Sequence, residues 1–424
     1  MHDALYQALD KGFTAPIRDG LWGHIYLTPE LEALTKSAAF MRLHRILQLG
    51  PTHCVYPGAT HTRAAHSLGV YHLSRRLLRH FLERGADAWT TAGGIRSFLC
   101  AALLHDLGHF PYTHSLKELP LKDHEALTGQ RILTEPLKGL LGNAGADPYF
   151  TAAIIDTTLP GASDKELQFY RKVLSGVLDP DKLDYLNRDA RYCGVPYGAQ
   201  DVDFILSRLH PHPERGVDID YRGIPSVESV LFSKYLMYKT VYWHPAVRAA
   251  TAMIKKALHT GLTQGFIHQE ELYDLDDPGL FTLLGGLGDP LFALGGKVRE
   301  GRFFTAAAEF PYEPQRHKEL LDLSHRSQYE TALAADLSPV LGRPLGSESL
   351  ILDLPERITF ETGLYVADEG CYFEGSSGLF KGETVKAFMK SLQIIRIFVD
   401  PDAFVADTHR CAAVLHELVH ARGL

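Results

Sequence analysis

Residues 97–115 read SFLCAALLHDLGHFPYTHS, and this stretch decides the fold class. From Phe98 to Leu104 the run is almost uninterruptedly apolar, so a helix formed here is hydrophobic all round and must be buried. His105 and Asp106 then stand at the buried end of a core helix, where an unpaired carboxylate is costly and calls for a metal or another cation. Gly108 and Pro111 break the helix just beyond, which lets His109 and His114 turn toward the same point.

Working outward, helical periodicity extends from about residue 30 to 265. LTPELEALTKSAAFMRLHRIL opens after Thr28 with Pro29 in the first turn, and HSLGVYHLSRRLLRHFLERG sets Leu68, Tyr71, Leu78 and Phe81 along one stripe. Ahead of these, PIRDGLWGHIYL (16–27) predicts a small hairpin. Beyond about 270 the texture turns rich in Gly, Pro and Asp, with short strand candidates SLILDLP, GLYVADEG and IIRIFVD. The expected architecture is therefore mainly α: a helical core over 1–270 carrying an N-terminal hairpin, then 271–424 as a linker and α+β region.

Composition narrows the function. The 424 residues carry 43 basic and 51 acidic side chains, a net charge of -8, so no bulk positive field favours nucleic acid or an anionic membrane. Any polyanionic ligand must be held by local cations. The basic residues Arg75, Arg76, Arg79 and Arg84 fall on one helix face, which in an acidic chain predicts a solvated surface. Five cysteines without a CxxC pair suit neither a disulfide framework nor a zinc knuckle. With no export signal or apolar run long enough to span a bilayer, the expected location is the cytoplasm.

Histidine carries the most information. Of 22 in the chain, 10 fall between His44 and His124, and imidazole serves both metal ligation and proton transfer near neutral pH. Arg63 and His66 sit at the start of one helix. SGVLDPDKLDYLNRDARYCG places Asp179, Asp181, Lys182, Asp184, Tyr185, Arg188 and Asp189 at the start of another; alone this reads equally well as a salt-bridged helix start. A hydrolytic site with two imidazoles and one buried Asp needs a second carboxylate, and this window offers one.

The blocks MRLHRILQLGPTHCVYPGATHTRAAHSLGVYHL, LLHDLGHFPYTHS, DHE and LDPDKLDYLNRDARYCGV resemble, in order and spacing over roughly residues 17 to 260, the HD-domain phosphohydrolases, in particular their deoxynucleoside triphosphate triphosphohydrolase branch. The resemblance implies metal ligands at His66, His105, Asp106 and Asp181. It implies catalytic roles for His114 and His124, alongside Asp181, and phosphate contacts from Arg63, His109, Lys182 and Tyr185. Gln48 and Asp189 fall where the family reads the sugar 3′-hydroxyl, Leu49 is carried over beside them as a substrate contact, and Tyr242 falls where an aromatic ring disfavours a 2′-hydroxyl. Lys234 occupies the position of a triphosphate-tail arginine. The implied cofactor is one divalent transition metal, Mn, Fe, Co or Ni, with Mg also admitted, since two imidazoles and two carboxylates leave a six-coordinate ion open to water. A nucleotide substrate and a homo-oligomeric state complete the expectation.

Several positions depart from that family's pattern. Ala65 precedes His66 where relatives often carry an acidic residue, predicting an imidazole without an orienting carboxylate. Lys117 stands where an acidic partner of His114 is usual, leaving Glu118 as the nearest substitute. Lys36, Met41 and His44 lack the Asp, Gln and Arg with which a regulated relative binds an activating guanine nucleotide, so activation by that route is not expected. Three rivals remain: a hydrolase of other nucleotides, a non-catalytic nucleotide-binding regulator, and a zinc peptidase built on His416, Glu417 and His420 of the formal HELVH match.

Overall fold

The computed structural model describes residues 2–403 together with 414, 415, 417 and 418. The chain is mainly helical with small sheets, as the periodicity implies. The helix Arg63–Leu82 begins where the Thr62 side chain accepts from the Ala65 amide, satisfying one of the four free N–H groups of its first turn. It packs on Ala92–Leu104, the helix of the quoted stretch, which Thr91 caps and whose residues from Ser97 to Leu104 are all buried. A third helix, Pro180–Cys193, lies across the first; Asp179 caps it, Pro180 occupies its first turn and Gly194 closes it in the left-handed region.

Two glycines allow these elements to approach. A Cβ at Gly69 would lie 1.8 Å from Asp184 Oδ1, so the helix carrying His66 can meet the one carrying Asp181 only with glycine there. A Cβ at Gly108 would lie 2.0 Å from the carbonyl of His124, so the turn after His105-Asp106 can rest on the helix His124–Ile132.

The expected hairpin forms from Ala15–Asp19 and Gly23–Leu27, with Ile17 opposite Ile25. The helical reading from Pro29 meets a break: Pro29–Thr35 ends, and the Ser37 hydroxyl accepts from Phe40 N to start a second helix, Ala38–Leu43. Serine favours exactly that capping role over a helix interior, which is why the pattern divides there. Arg75 and Arg79 pair with Asp10 and Arg76 with Asp203, so the basic face is salt-bridged as well as hydrated.

After residue 270 the chain builds a three-stranded antiparallel sheet in the order Thr305–Pro311, Ile394–Val399, Leu350–Asp353, backed by the helix Leu323–Leu341. It also returns to the first body. Tyr365–Val366 pairs in parallel with Gly216–Ile219, and Phe360, Leu364, Phe373 and Phe380 join the main core. A buried ion network links the two parts: Arg248 holds Asp353 and Glu356, Lys255 holds Glu356 and Glu118, and Arg326 holds Glu118. No helix among the described residues is long and apolar enough to cross a membrane.

Candidate metal centre and phosphate cleft

The first and third helices and the turn after the second converge on one point. His66 Nε2 lies 2.9 Å from Asp181 Oδ1, and His105 Nε2 lies 3.4 Å from Asp106 Oδ1 and 3.9 Å from Asp181 Oδ1. Ligand atoms of His66, His105 and Asp181 all lie within 4.8 Å of one another. Among the described residues His105 Nε2 is buried without a hydrogen-bond partner, an orphan that a metal ion would satisfy. Its other nitrogen is tethered 2.9 Å from the Ala102 carbonyl, so Nε2 is the atom presented to the centre. The Asp106 carboxylate is steadied through Oδ2 by Arg63 Nη1 at 2.8 Å, leaving Oδ1 turned inward. These donors fit a divalent cation with open positions for water.

The expectation from Ala65 is corrected here. His66 Nδ1 lies 2.8 Å from Asp184 Oδ2, so the imidazole does have an orienting carboxylate, supplied by the neighbouring helix. Asp184 is fully buried and also accepts from Arg188 Nε at 2.8 Å and Trp22 Nε1 at 2.5 Å, while Arg188 reaches Asp19 at 2.8 Å. Burial alone would lower the His66 pKa, but the hydrogen bonds it donates to Asp181 and Asp184 outweigh it and raise it to about 10. Burial pushes Asp181 up, yet the His66 imidazole holds it below the usual carboxylate range.

Beside the centre lies a histidine cluster. His109 Nε2 is 3.1 Å from His114 Nε2, and the His124 ring is 4.1 Å from His109 and 5.2 Å from His114, centroid to centroid. His109 Nδ1 is 3.0 Å from Asp106 Oδ1 but poorly aligned as a hydrogen bond. Burial, then the Arg63 guanidinium, keeps His109 neutral; burial lowers His124 to about 4. Glu118 does not serve His114, because its carboxylate is taken by Arg326 and Lys255; among the described residues no carboxylate lies within ion-pair distance of His114.

Further along the Pro180–Cys193 helix the neighbouring side chains are cationic, then polar. Lys182 Nζ reaches Asp179 Oδ2 at 2.7 Å and the Gly176 carbonyl at 2.9 Å. Lys234 Nζ reaches the Thr359 carbonyl at 2.8 Å and Glu361 Oε2 at 3.3 Å. Tyr185 is half-buried one turn beyond Asp181. Asp189 accepts from Tyr242 OH at 2.6 Å and faces His61 Nε2 at 2.8 Å. Tyr242 ends a π-helical turn, Tyr238–Tyr242, a local widening often found at functional sites. Gln48 donates its backbone N–H to the His61 carbonyl, and its side-chain Oε1 is buried without a partner among the described residues, with Leu49 half-buried next to it.

The structure therefore brings ligand atoms of His66, His105 and Asp181 within 4.8 Å of one another, sets Asp106 Oδ1 3.4 Å from His105 Nε2, and carries Lys182, Tyr185 and Asp189 on the same helix as Asp181. Sequence reasoning missed the roles of His61, Trp22, Asp19 and Glu361, and took Asp184 and Arg188 only as members of a charged window. The Asp184–Arg188 spacing of four was a visible signal; nothing local marks Trp22 or Glu361. His416 and His420 lie outside the described residues.

A family model described as HD domain matches residues 63–136, and one described as HD associated region matches 201–369. The chain therefore carries an HD domain followed by an HD associated region. An uncharacterized protein of Bacillus subtilis is 39% identical over 222 residues, covering 52% of this chain and 49% of the relative. A deoxynucleoside triphosphate triphosphohydrolase of Gallus gallus is 31% identical over 206 residues, covering 42% of this chain and 34% of that protein. The chain thus matches about half of the bacterial relative and about a third of the avian one. The crystal structure of a phosphohydrolase from Bacteroides thetaiotaomicron shares the fold, with a TM-score of 0.69 at 23% identity over 91% of this chain and 99% of that one.

Proposed function

We propose that the protein hydrolyses deoxynucleoside triphosphates to deoxynucleoside and triphosphate. The observation that carries this reading is the polar cluster of Gln48, His61, Asp189 and Tyr242, whose Asp189 lies on the same helix as Asp181: it offers an acceptor with no partner among the described residues and a carboxylate to a sugar hydroxyl. His66, His105, Asp106 and Asp181 would hold the divalent cation, which when bound supplies activation of water and polarisation of a phosphate oxygen. Arg63 steadies Asp106, and its buried, unpartnered Nε is free for a phosphate oxygen. Lys182 and Lys234 supply charge for the phosphate chain. His114 is solvent-accessible beside buried His109, the place for an imidazole that donates a proton to the departing 5′-oxygen once phosphate charge has raised its basicity. The Tyr242 hydroxyl, tied to Asp189, fixes the ring where a 2′-hydroxyl would crowd it.

Metal-loaded protein should release tripolyphosphate from deoxynucleoside triphosphates. A second reading has one observation in its favour: Glu361 already occupies Lys234, which favours ligands with fewer phosphates. Release of orthophosphate alone, with no sugar preference, would transfer the assignment to that broader nucleotide phosphohydrolase. A homo-oligomeric, cytoplasmic enzyme is part of the same proposal.

A further inference from the structure

We propose that Glu361 determines phosphate-tail selectivity by competing with the terminal phosphate for Lys234 and Lys182, an inference that rests on the phosphate-binding role given to those lysines above. The two ammonium groups come from different helices and face a common point, where they would repel each other if nothing lay between. Glu361 Oε2 supplies the compensating charge, 3.3 Å from Lys234 Nζ and 3.8 Å from Lys182 Nζ. A carboxylate in that position presents an anionic oxygen to the cations much as a phosphate would, and two anions cannot share the spot.

The surrounding chain makes exchange feasible. Glu361 belongs to a segment without regular structure between the strands Leu350–Asp353 and Tyr365–Val366. Phe360 and Leu364 on either side are buried in the main core, and Asp353 and Glu356 are clamped by Arg248, so the backbone is held at both ends. The Glu361 side chain itself is 44% exposed. It can leave by rotating about its own bonds, without unseating the segment. Lys234 then keeps its bond to the Thr359 carbonyl and remains aimed at the vacated position. A ligand whose phosphates reach Lys234 must expel Glu361, whereas a shorter one leaves it in place.

Inorganic tripolyphosphate, titrated into the metal-loaded full chain with excess Mg in the buffer, provides the test. Glu361→Gln keeps the shape and removes the competing charge, so it should bind tripolyphosphate about three- to fivefold more tightly, the upper end of the scale for one partly exposed ion pair. In a Lys234→Gln background the same change should shift affinity by less than about twofold, because the nearer of the two contested cations is gone and only the more distant Lys182 remains. Equal or weaker binding by Glu361→Gln would overturn the proposal, since a merely structural glutamate gives no gain when neutralised. The substrate reading fails separately: tighter tripolyphosphate binding without deoxynucleotide hydrolysis upholds Glu361 and removes that reading, and hydrolysis with unchanged tripolyphosphate affinity does the reverse.

Discussion

Replacing Asp184 by asparagine removes one charge and almost no volume, and the geometry gives the size of the effect. Asp184 Oδ2 faces His66 Nδ1 and Arg188 Nε, each at 2.8 Å, and Oδ1 accepts from Trp22 Nε1 at 2.5 Å and Arg188 Nη2 at 3.0 Å. Whichever way the amide is turned, its NH₂ meets donors on one side. If it faces His66, the imidazole loses the partner that fixes its tautomer, and metal affinity should fall about 10- to 100-fold, or about 1.4 to 2.7 kcal/mol. If it faces Trp22, the second bond to Arg188 is lost instead. In both cases buried Arg188 keeps Asp19, so the folding cost should sit near the low end for a broken buried pair, about 3 kcal/mol. Metal content after dialysis against graded chelator, with denaturant melts of metal-free and metal-loaded protein, separates the two effects. An Asp184→Asn protein that holds metal within about twofold of the parent would show that the amide oxygen still serves His66, and an Asp184→Ala protein that holds it equally well would show that this side chain supports the fold alone.

His105→Ala and Asp181→Ala should each lose most bound metal by elemental analysis, whereas full occupancy in both would move the centre elsewhere. Tyr242→Ala should raise ribonucleotide turnover relative to deoxyribonucleotide turnover, by at most about 10²-fold because steric rejection of one hydroxyl is rarely stronger; an unchanged ratio removes the tyrosine from sugar discrimination. Glu356 makes the chain acid-sensitive: burial would raise its pKa, but Arg248 and Lys255 lower it from 4.5 to about 2. A depressed carboxylate contributes stability above its unfolded pKa and loses it as pH falls through the folded value, so about 3 kcal/mol should disappear between roughly pH 4.5 and 2. Glu356→Gln should flatten that part of the denaturation profile, and parallel profiles would refute the assignment.

Much of this protein was legible locally. The apolar run ending in His105-Asp106, the breakers Gly108 and Pro111, the Thr62 cap and the Asp179-Pro180 start are short-range signals, because helix burial, termination and capping depend on residues within a turn or two of each other. They determined a helical core and the kinds of side chain gathered at its centre. The outer shell was not legible. Asp184 reaches His66 across 118 positions, Trp22 reaches Asp184 across 162, and Lys234 meets Glu361 across 127. Ala65 and Glu118 show the cost of judging such partners by sequence neighbourhood: the carboxylate missing beside His66 arrives from another helix, and the one near His114 is taken by Arg326. Nor does periodicity say that Tyr365–Val366 returns to pair with Gly216–Ile219. Those choices belong to the tertiary structure, because which distant side chains meet is set by how packed helices approach, at Gly69 and Gly108 above all, and by the need of each buried charge for a counter-charge wherever the fold can bring one.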